Sequence, residues 1–582
     1  MRQYRRLPSL EMLETRLTPA IDFIASTFAF GTLNLVTDGA ATTVDLRLTA
    51  NNEVFVDDGI NSATFTGVTT KLLYHGSDAG DTVSFDLDGF TLSAGVWLFG
   101  GAGNDLFTVQ DTAGTGQLRS VLNIDAAEGN NTVEIDQLQS LSSVIITSGS
   151  GDDVVNVDKM TINGSFWATL GDGTNSLIMA TTDPVTVGGN IKVSTGLGDD
   201  VISLGNSTAL SVGGSVMVVA GDGLNDFDTG LGGGGVATIG GALTYAGGIG
   251  QDDVFIDQTT LGGSVSLGLG DGANTVNVAS IAEVKIGGGF FVTGGFDDDN
   301  INIGSGSNVS IGGSITLNLL DDLSGDGDDV AIGGGNGEGG NSAITVGGSV
   351  VVTFGESAGL LDTFSMDNTI VRGSVSVQMG EGDNDFDLGT NLAVQITGSL
   401  LVQGGAGVDD YTIGGVAGTK INGSVSLNAG QGDNLWSLEN DFFVRGNMTL
   451  TSGAGVDDLT LFATVSGGQV QGSLTVNLGG GANTFAFNGS VGTATLGGYL
   501  TYNGGNDVDN VTVNGRVFRT VTARLQGGND NFIYGPRAFV GNPFINRRGT
   551  AYLDGGLGTN LFTNNGPPFL TTITRRTRIV LA

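Results

Sequence analysis

Seven aspartates, Asp105, Asp153, Asp200, Asp252, Asp299, Asp409 and Asp457, each close a turn of the form Gly-x-Gly-x-Asp-x-apolar, with Asp297 replacing the second glycine before Asp299. Two chemistries suit carboxylates placed this way. Stacked, oxygen-rich turns can serve a hard cation such as Ca²⁺, which takes six to eight oxygen ligands. Adjacent acids such as Asp252-Asp253 and Asp409-Asp410 have the composition of a glycosidase pair, which needs two carboxyls roughly 5–9.5 Å apart. A catalytic pair is expected to be singular, however, and these pairs recur in many turns. His75 is the only histidine, and it reads as a surface or capping residue. Residues 21–515 hold only nine Lys and Arg, widely spaced, which does not suit lyase chemistry on acidic sugars. There is no phosphate loop, zinc cluster or nucleophile elbow. Catalysis is therefore the third reading, and no catalytic residue is assigned.

The elements that position the aspartates repeat with them. The same turn, ending in Asp or Asn, returns about every 25 residues from Asp81 to Asn560. In residues 423–447, Val425 and Leu427, then Trp436 and Leu438, then Phe442 and Val444 alternate with polar neighbours. Period two marks short strands with one buried face. Three such strands cannot form a core alone, but stacked copies can. The expected fold is all-β: a right-handed parallel β-helix, or β-solenoid, of about twenty coils, with handedness from the crossover rule. A propeller with blades of about 50 residues is the alternative, disfavoured by the lack of two-residue hairpin turns. Trp436 and Phe485 share an inward slot with Phe227 and Phe386, which predicts an internal aromatic stack.

The turn residues alternate Asn, Asp, Asn, Asp from Asn131 to Asp299 and again from Asn384 to Asp509. Carboxylates on successive rungs, about 4.8 Å apart, would repel by roughly 3.5 kcal/mol at an effective dielectric near 20. An intervening Asn doubles that separation, and its amide can donate to the neighbouring Asp. A hydrogen-bonded, metal-free ladder favours this alternation.

The chain divides by charge. Net charge is −38. Residues 516–582 nevertheless carry nine arginines against Asp530 and Asp554, a balance of +7. The expected organisation is a targeting or capping helix at 1–20, a β cap at 21–65, an acidic shaft at 66–515, and basic coils with a cap at 516–582. In the cap, Val44, Leu46 and Leu48, then Val54 and Val56, flank Asn51-Asn52 as in a hairpin. Glycine-rich bulges are expected between Asp299 and Asp362, at 333–335 and 337–340. An acidic shaft repels nucleic acid. No apolar run approaches the length of a transmembrane helix, and with no cysteine there are no disulfides.

Two local resemblances add to this. Gly100–Thr108 and Gly404–Thr412 resemble the calcium-binding RTX nonapeptide Gly-Gly-x-Gly-x-Asp-x-apolar-x, although they do not recur in tandem as RTX calcium rolls require. Residues 10–19, Leu-Glu-Met-Leu-Glu-Thr-Arg-Leu-Thr-Pro, resemble the N-terminal segment of planctomycete exported proteins, following basic Arg2, Arg5 and Arg6. That resemblance implies export to the cell surface or the extracellular space. The expected function is a non-catalytic structural or adhesive β-solenoid without a cofactor. The alternative is an RTX-like surface protein holding Ca²⁺ at the seven aspartates. Expected partners are a cell-envelope component or surface glycan, or a second copy bound head-to-tail through the basic C-terminal end.

Overall fold

The computed structural model describes residues 26–575, except 38, 231–234, 321–326, 335–341, 356–360, 416–417, 440–441, 463–467, 489–493, 543–546, 549 and 566–570. The export-like segment 1–20 therefore lies outside the described residues. So do most of the glycine bulges between Asp299 and Asp362, and Arg576 and Arg578. Every regular element among the described residues is a β-strand. The chain forms two units, Met1–Val155 and Asn156–Ala582.

The first unit opens with antiparallel strands. Thr27–Ala29 pairs with Thr32–Val36. Thr43–Ala50 turns back through Asn51-Asn52 onto Glu53–Asp57, which pairs in turn with Ser62–Thr66. Asn52 takes φ 55, the left-handed conformation that asparagine tolerates in tight turns. Val44, Leu46, Leu48, Val54 and Val56 are buried, as the hairpin reading requires. Parallel stacking then begins. Thr43–Ala50 is followed in one sheet by Thr82–Asp86, Leu106–Gln110 and Thr132–Asp136. Lys71–His75, Gly95–Phe99, Leu122–Ala127 and Val144–Ser148 stack in a second sheet.

The second unit repeats a three-strand coil. Val216–Gly221, Asn225–Thr229 and Ala237–Ile239 pair in parallel with Leu243–Gly247, Asp252–Ile256 and Thr259–Leu261, one coil on. The register holds over many coils. Val216, Leu243, Val265, Phe290, Ile315 and Val350 form one inward column. Burial alternates residue by residue, as in Leu210-Ser211-Val212. Each fully buried Val, Leu or Ile contributes about 1.5–3 kcal/mol, so the core is one rung of branched side chains per coil. This is the parallel β-solenoid expected, and the propeller is excluded. Among the described residues of this unit, antiparallel pairing is confined to Phe539–Asn542 with Arg547–Arg548.

Two details follow from close stacking. At the second position of the Gly-Gly corners successive backbones nearly touch: a Cβ on Gly373 would lie 2.6 Å from the Gly348 carbonyl oxygen. Only glycine fits there. The aromatic column is real but shorter than expected. Phe364 stacks on Phe386, which meets Tyr411, which meets Trp436, with ring centroids 5.2, 6.1 and 5.6 Å apart. Phe227 and Phe485 share that register column but stack instead on Tyr245 and Tyr502 from the neighbouring sheet.

Candidate functional site

The glycine turn that enters each middle strand positions the seven aspartates. All seven are buried. In the first unit, the backbone N–H of Asp81 donates to Asp105 Oδ1 at 2.6 Å, and that of Asn131 donates to Asp153 Oδ1 at 2.9 Å. In the second unit, the Asn175 N–H donates to Asp200 at 2.9 Å and the Asn384 N–H to Asp409 at 3.1 Å. Asp299 and Asp457 likewise accept the N–H of Asn274 and Asn434. Asp252 is held by the Asn225 amide, which donates at 2.9 Å. The amides of Asn274, Asn384 and Asn434 reach Asp299, Asp409 and Asp457 at the same distance. Asparagine therefore bridges rungs. It also closes its own turn, as Asn175 Nδ2 does by donating to the carbonyls of Gly171 and Gly173.

The other carboxyl oxygen points toward the residue five positions upstream. Ser452 stands there for Asp457 and donates to Oδ2 at 2.5 Å. Ser148 and Thr195 stand there for Asp153 and Asp200 and likewise bond the carboxylate. For Asp81, Asp105, Asp252, Asp299, Asp409 and Asp509 the place is glycine. A Cβ on Gly100 would sit 2.1 Å from Asp105 Oδ2, and one on Gly504 1.8 Å from Asp509 Oδ2. Asn-bearing coils carry Ala126, Leu170, Ala220, Leu269, Met379, Ala429 or Leu478 at this position. This coupling of turn residue to upstream residue is visible in the sequence, and the sequence reading missed it. It breaks at Leu323–Asp328, Leu525–Asp530 and Gly555–Asn560.

The oxygens facing these glycines are poorly satisfied. Asp105 Oδ2 is buried without a hydrogen-bond partner, and so is Asp530 Oδ2, although its upstream residue is Leu525. Burial raises the Asp105 carboxyl to about 7 and that of Asp530 to about 6. Burial likewise raises Asp252 and Asp409 to about 6, against the opposing hydrogen bonds of Tyr245 and Tyr411 and of their asparagine neighbours. Asp509 rises to about 7 through burial and the nearby charge of Asp530. The geometry does not fit a calcium cage built from the seven. In the alternating stretches an asparagine separates successive aspartates, one oxygen of each is spent on the neighbouring rung, and the other faces the core. Among the described residues no group of three or more His, Asp or Glu is placed to hold a metal ion. Comparison with protein-family models, curated proteins and solved structures finds no match to this chain.

Strand alternation separates the paired acids. Asp252 and Asp409 face inward, whereas Asp253 and Asp410 face outward. The outward acids meet different partners across coils. Asp226 pairs in register with Asp253, and Asp385 with Asp410. Burial and then the neighbouring Asp226 raise Asp228 to about 8. Burial followed by Asp385 and Asp410 raises Asp387 to about 7. The signal for both clusters is Asp-Phe-Asp one coil before Asp-Asp. His75 stacks on Phe99 with centroids 4.9 Å apart, a packing role.

A second ladder runs along the Gly-Gly corner of the second unit. The N–H of Ser374 donates to Ser349 Oγ and that of Ser399 to Ser374 Oγ, at 3.1 and 3.0 Å. Asn190 and Asn447 take the same role, accepting from the N–H of Ser215 and of Ser473. Its signature, Gly followed by Ser or Asn before most first strands, went unread. Lys285 and Glu283 form an ion pair at 2.9 Å, both half-exposed, a type that contributes about 0–1 kcal/mol.

Proposed function

We propose that this chain is a non-catalytic structural or adhesive β-solenoid displayed at the cell surface or released outside the cell. The observation that supports this reading is that its chemistry-bearing side chains are consumed by architecture. Turn carboxylates and amides bind the next coil, rung after rung, instead of converging on one place. The resemblance of residues 10–19 to planctomycete export segments supports the destination. The test is protease accessibility on intact native cells, with fractionation. Surface-exposed or released protein is expected, and protein held in the cytoplasm overturns the reading.

A calcium-stabilised surface protein is the second reading. Solvent-reached carboxylates on alternate turns favour it. Asp172 and Asp222 accept the N–H groups of Leu197 and Ile249 at 2.9 Å, leaving each a second oxygen open. The partners proposed are a cell-envelope component or surface glycan, and a second copy of the chain. Residues 516–582, at +7, complement an otherwise acidic molecule. A head-to-tail contact would propagate as a filament unless rotation closed it. Light scattering at low ionic strength should show salt-reversible association that a chain ending near Gly515 lacks. Monomers in both cases would remove the self-association proposal.

A further inference from the structure

Three residues before most Asn residues of the glycine turn, the second unit carries a polar side chain: Asp172, Asp222, Asp271, Glu381 and Gln431. Each accepts the N–H of the equivalent residue one coil on, as Glu381 does from Ala406 at 2.9 Å and Gln431 from Ala454 at 2.8 Å. Two rungs depart from this rule, at Leu557 before Asn560 and at Gly480 before Asn483, and Gly480 alone lacks a side chain altogether. Its neighbours must be glycine, because a Cβ on Gly479 or Gly481 would lie 1.8 or 1.7 Å from a carbonyl oxygen of the coil below. Gly480 is under no such constraint. Its φ lies outside the left-handed region, and a Cβ there would meet only Asp507 Oδ2, at 3.9 Å.

Gly480 opens onto a cleft of about 440 Å³, bordered by Asn477, Asn503, Asn506, Asp507 and Gln526. That volume lies in the range of small-ligand sites, about 300–1,000 Å³. The border is organised. Asn503 Nδ2 donates to Asn477 Oδ1 at 2.7 Å, and Arg524 donates to Asn503 Oδ1 at 3.0 Å. Asp507 accepts the Gly481 N–H at 2.9 Å. Four amides, each both donor and acceptor, surround a floor of Gly480, Gly504 and Gly505. A floor without side chains lets a flat ring lie against peptide planes. Asp507 is the one charged residue of the lining, which opposes anionic ligands at the cleft itself. One carboxylate is too few for a calcium site that draws on several.

We infer that this cleft binds a neutral saccharide, its amides pairing with vicinal hydroxyl groups. The inference rests on the surface-glycan partner proposed above and names the place where that partner docks. The test is calorimetric titration of the full-length protein with cellohexaose, maltohexaose, laminarihexaose and mannohexaose, with oligogalacturonate as the acidic comparison. Saturable binding of at least one neutral series is expected, with none of the acidic one. Gly480→Gln restores the rung as Gln431 forms it, so it should leave the melting temperature at or above the parent value. It should weaken binding at least about tenfold, as should Asn503→Ala. No binding of any neutral oligosaccharide, or binding that Gly480→Gln leaves unchanged, overturns the inference. The two proposals fail separately. A surface protein whose sugar binding ignores Gly480→Gln removes the cleft alone. A working cleft on a cytoplasmic protein removes the surface reading alone.

Discussion

Asp509 and Gly504 show how one side chain dictates another across a turn. The inward carboxyl oxygen occupies the space a Cβ would take, 1.8 Å from its ideal position, and no backbone atom stands close to that position. Gly504→Ala should therefore destabilise by about 1–3 kcal/mol, the usual cost of overpacking. Adding Asp509→Asn should recover more than half of that loss. Asparagine turns its amide to its own turn carbonyls, and asparagine coils carry Ala126, Ala220 and Ala429 at this position. A thermodynamic cycle from chemical denaturation measures the coupling. Additive losses would mean that the upstream residue and the turn residue are chosen independently.

At the level of the element, strand and coil were legible because their signals are local. Period-two alternation identified Val425–Asn428 and Leu435–Leu438 without knowledge of their neighbours. The alternation of Asp252, Asn274 and Asp299 was legible too, since the glycines fix its frame. Contacts between coils were not. The Asp226–Asp228–Asp253 cluster requires cross-coil register to a single residue, and a slip of one would send each side chain to the other face. Coil length hides that register, because linked turns lie 21 residues apart at Asp509–Asp530 and 34 apart at Asp328–Asp362. The extent of the aromatic column was misjudged for the same reason: Phe485 found Tyr502 on an adjoining sheet. Trp436, at its end, is 1% exposed. Trp436→Ala should cost about 3–5 kcal/mol, read as a local transition because solenoids unfold by neighbouring units. Native Trp436 fluorescence should be blue-shifted and resistant to quenchers. Ready quenching would place the residue outside the core.

For the molecule as a whole, the opposing claims of protons and metal ions can be separated by melting experiments. If neighbouring N–H groups satisfy the ladder, EDTA should leave the melting temperature unchanged, whereas bound Ca²⁺ at 100-fold over Kd would add about 2.7 kcal/mol. A collapse in EDTA that Ca²⁺ reverses would establish the calcium reading. The proton dependence is less ordinary. Burial raises Asp105 and Asp509 to about 7 and Asp252, Asp409 and Asp530 to about 6, from 3.8. Between pH 4 and pH 7 the folded chain then binds more protons than the unfolded one, so stability falls as pH rises. The contribution is complete below about pH 4 and is lost as each folded carboxyl ionises. The melting temperature should thus be higher at pH 5 than at pH 8, opposite to a protein held by ionised, paired carboxylates. General repulsion within a chain of net charge −38 has the same sign, but salt distinguishes the two. In 1 M salt the Debye length is about 3 Å and surface repulsion is screened, whereas buried groups are screened much less. The pH slope should therefore persist in 1 M NaCl and become shallower in Asp105→Asn. A slope that vanishes in salt would assign the effect to the surface, and a melting temperature that rises with pH would show that the ladder is ionised throughout.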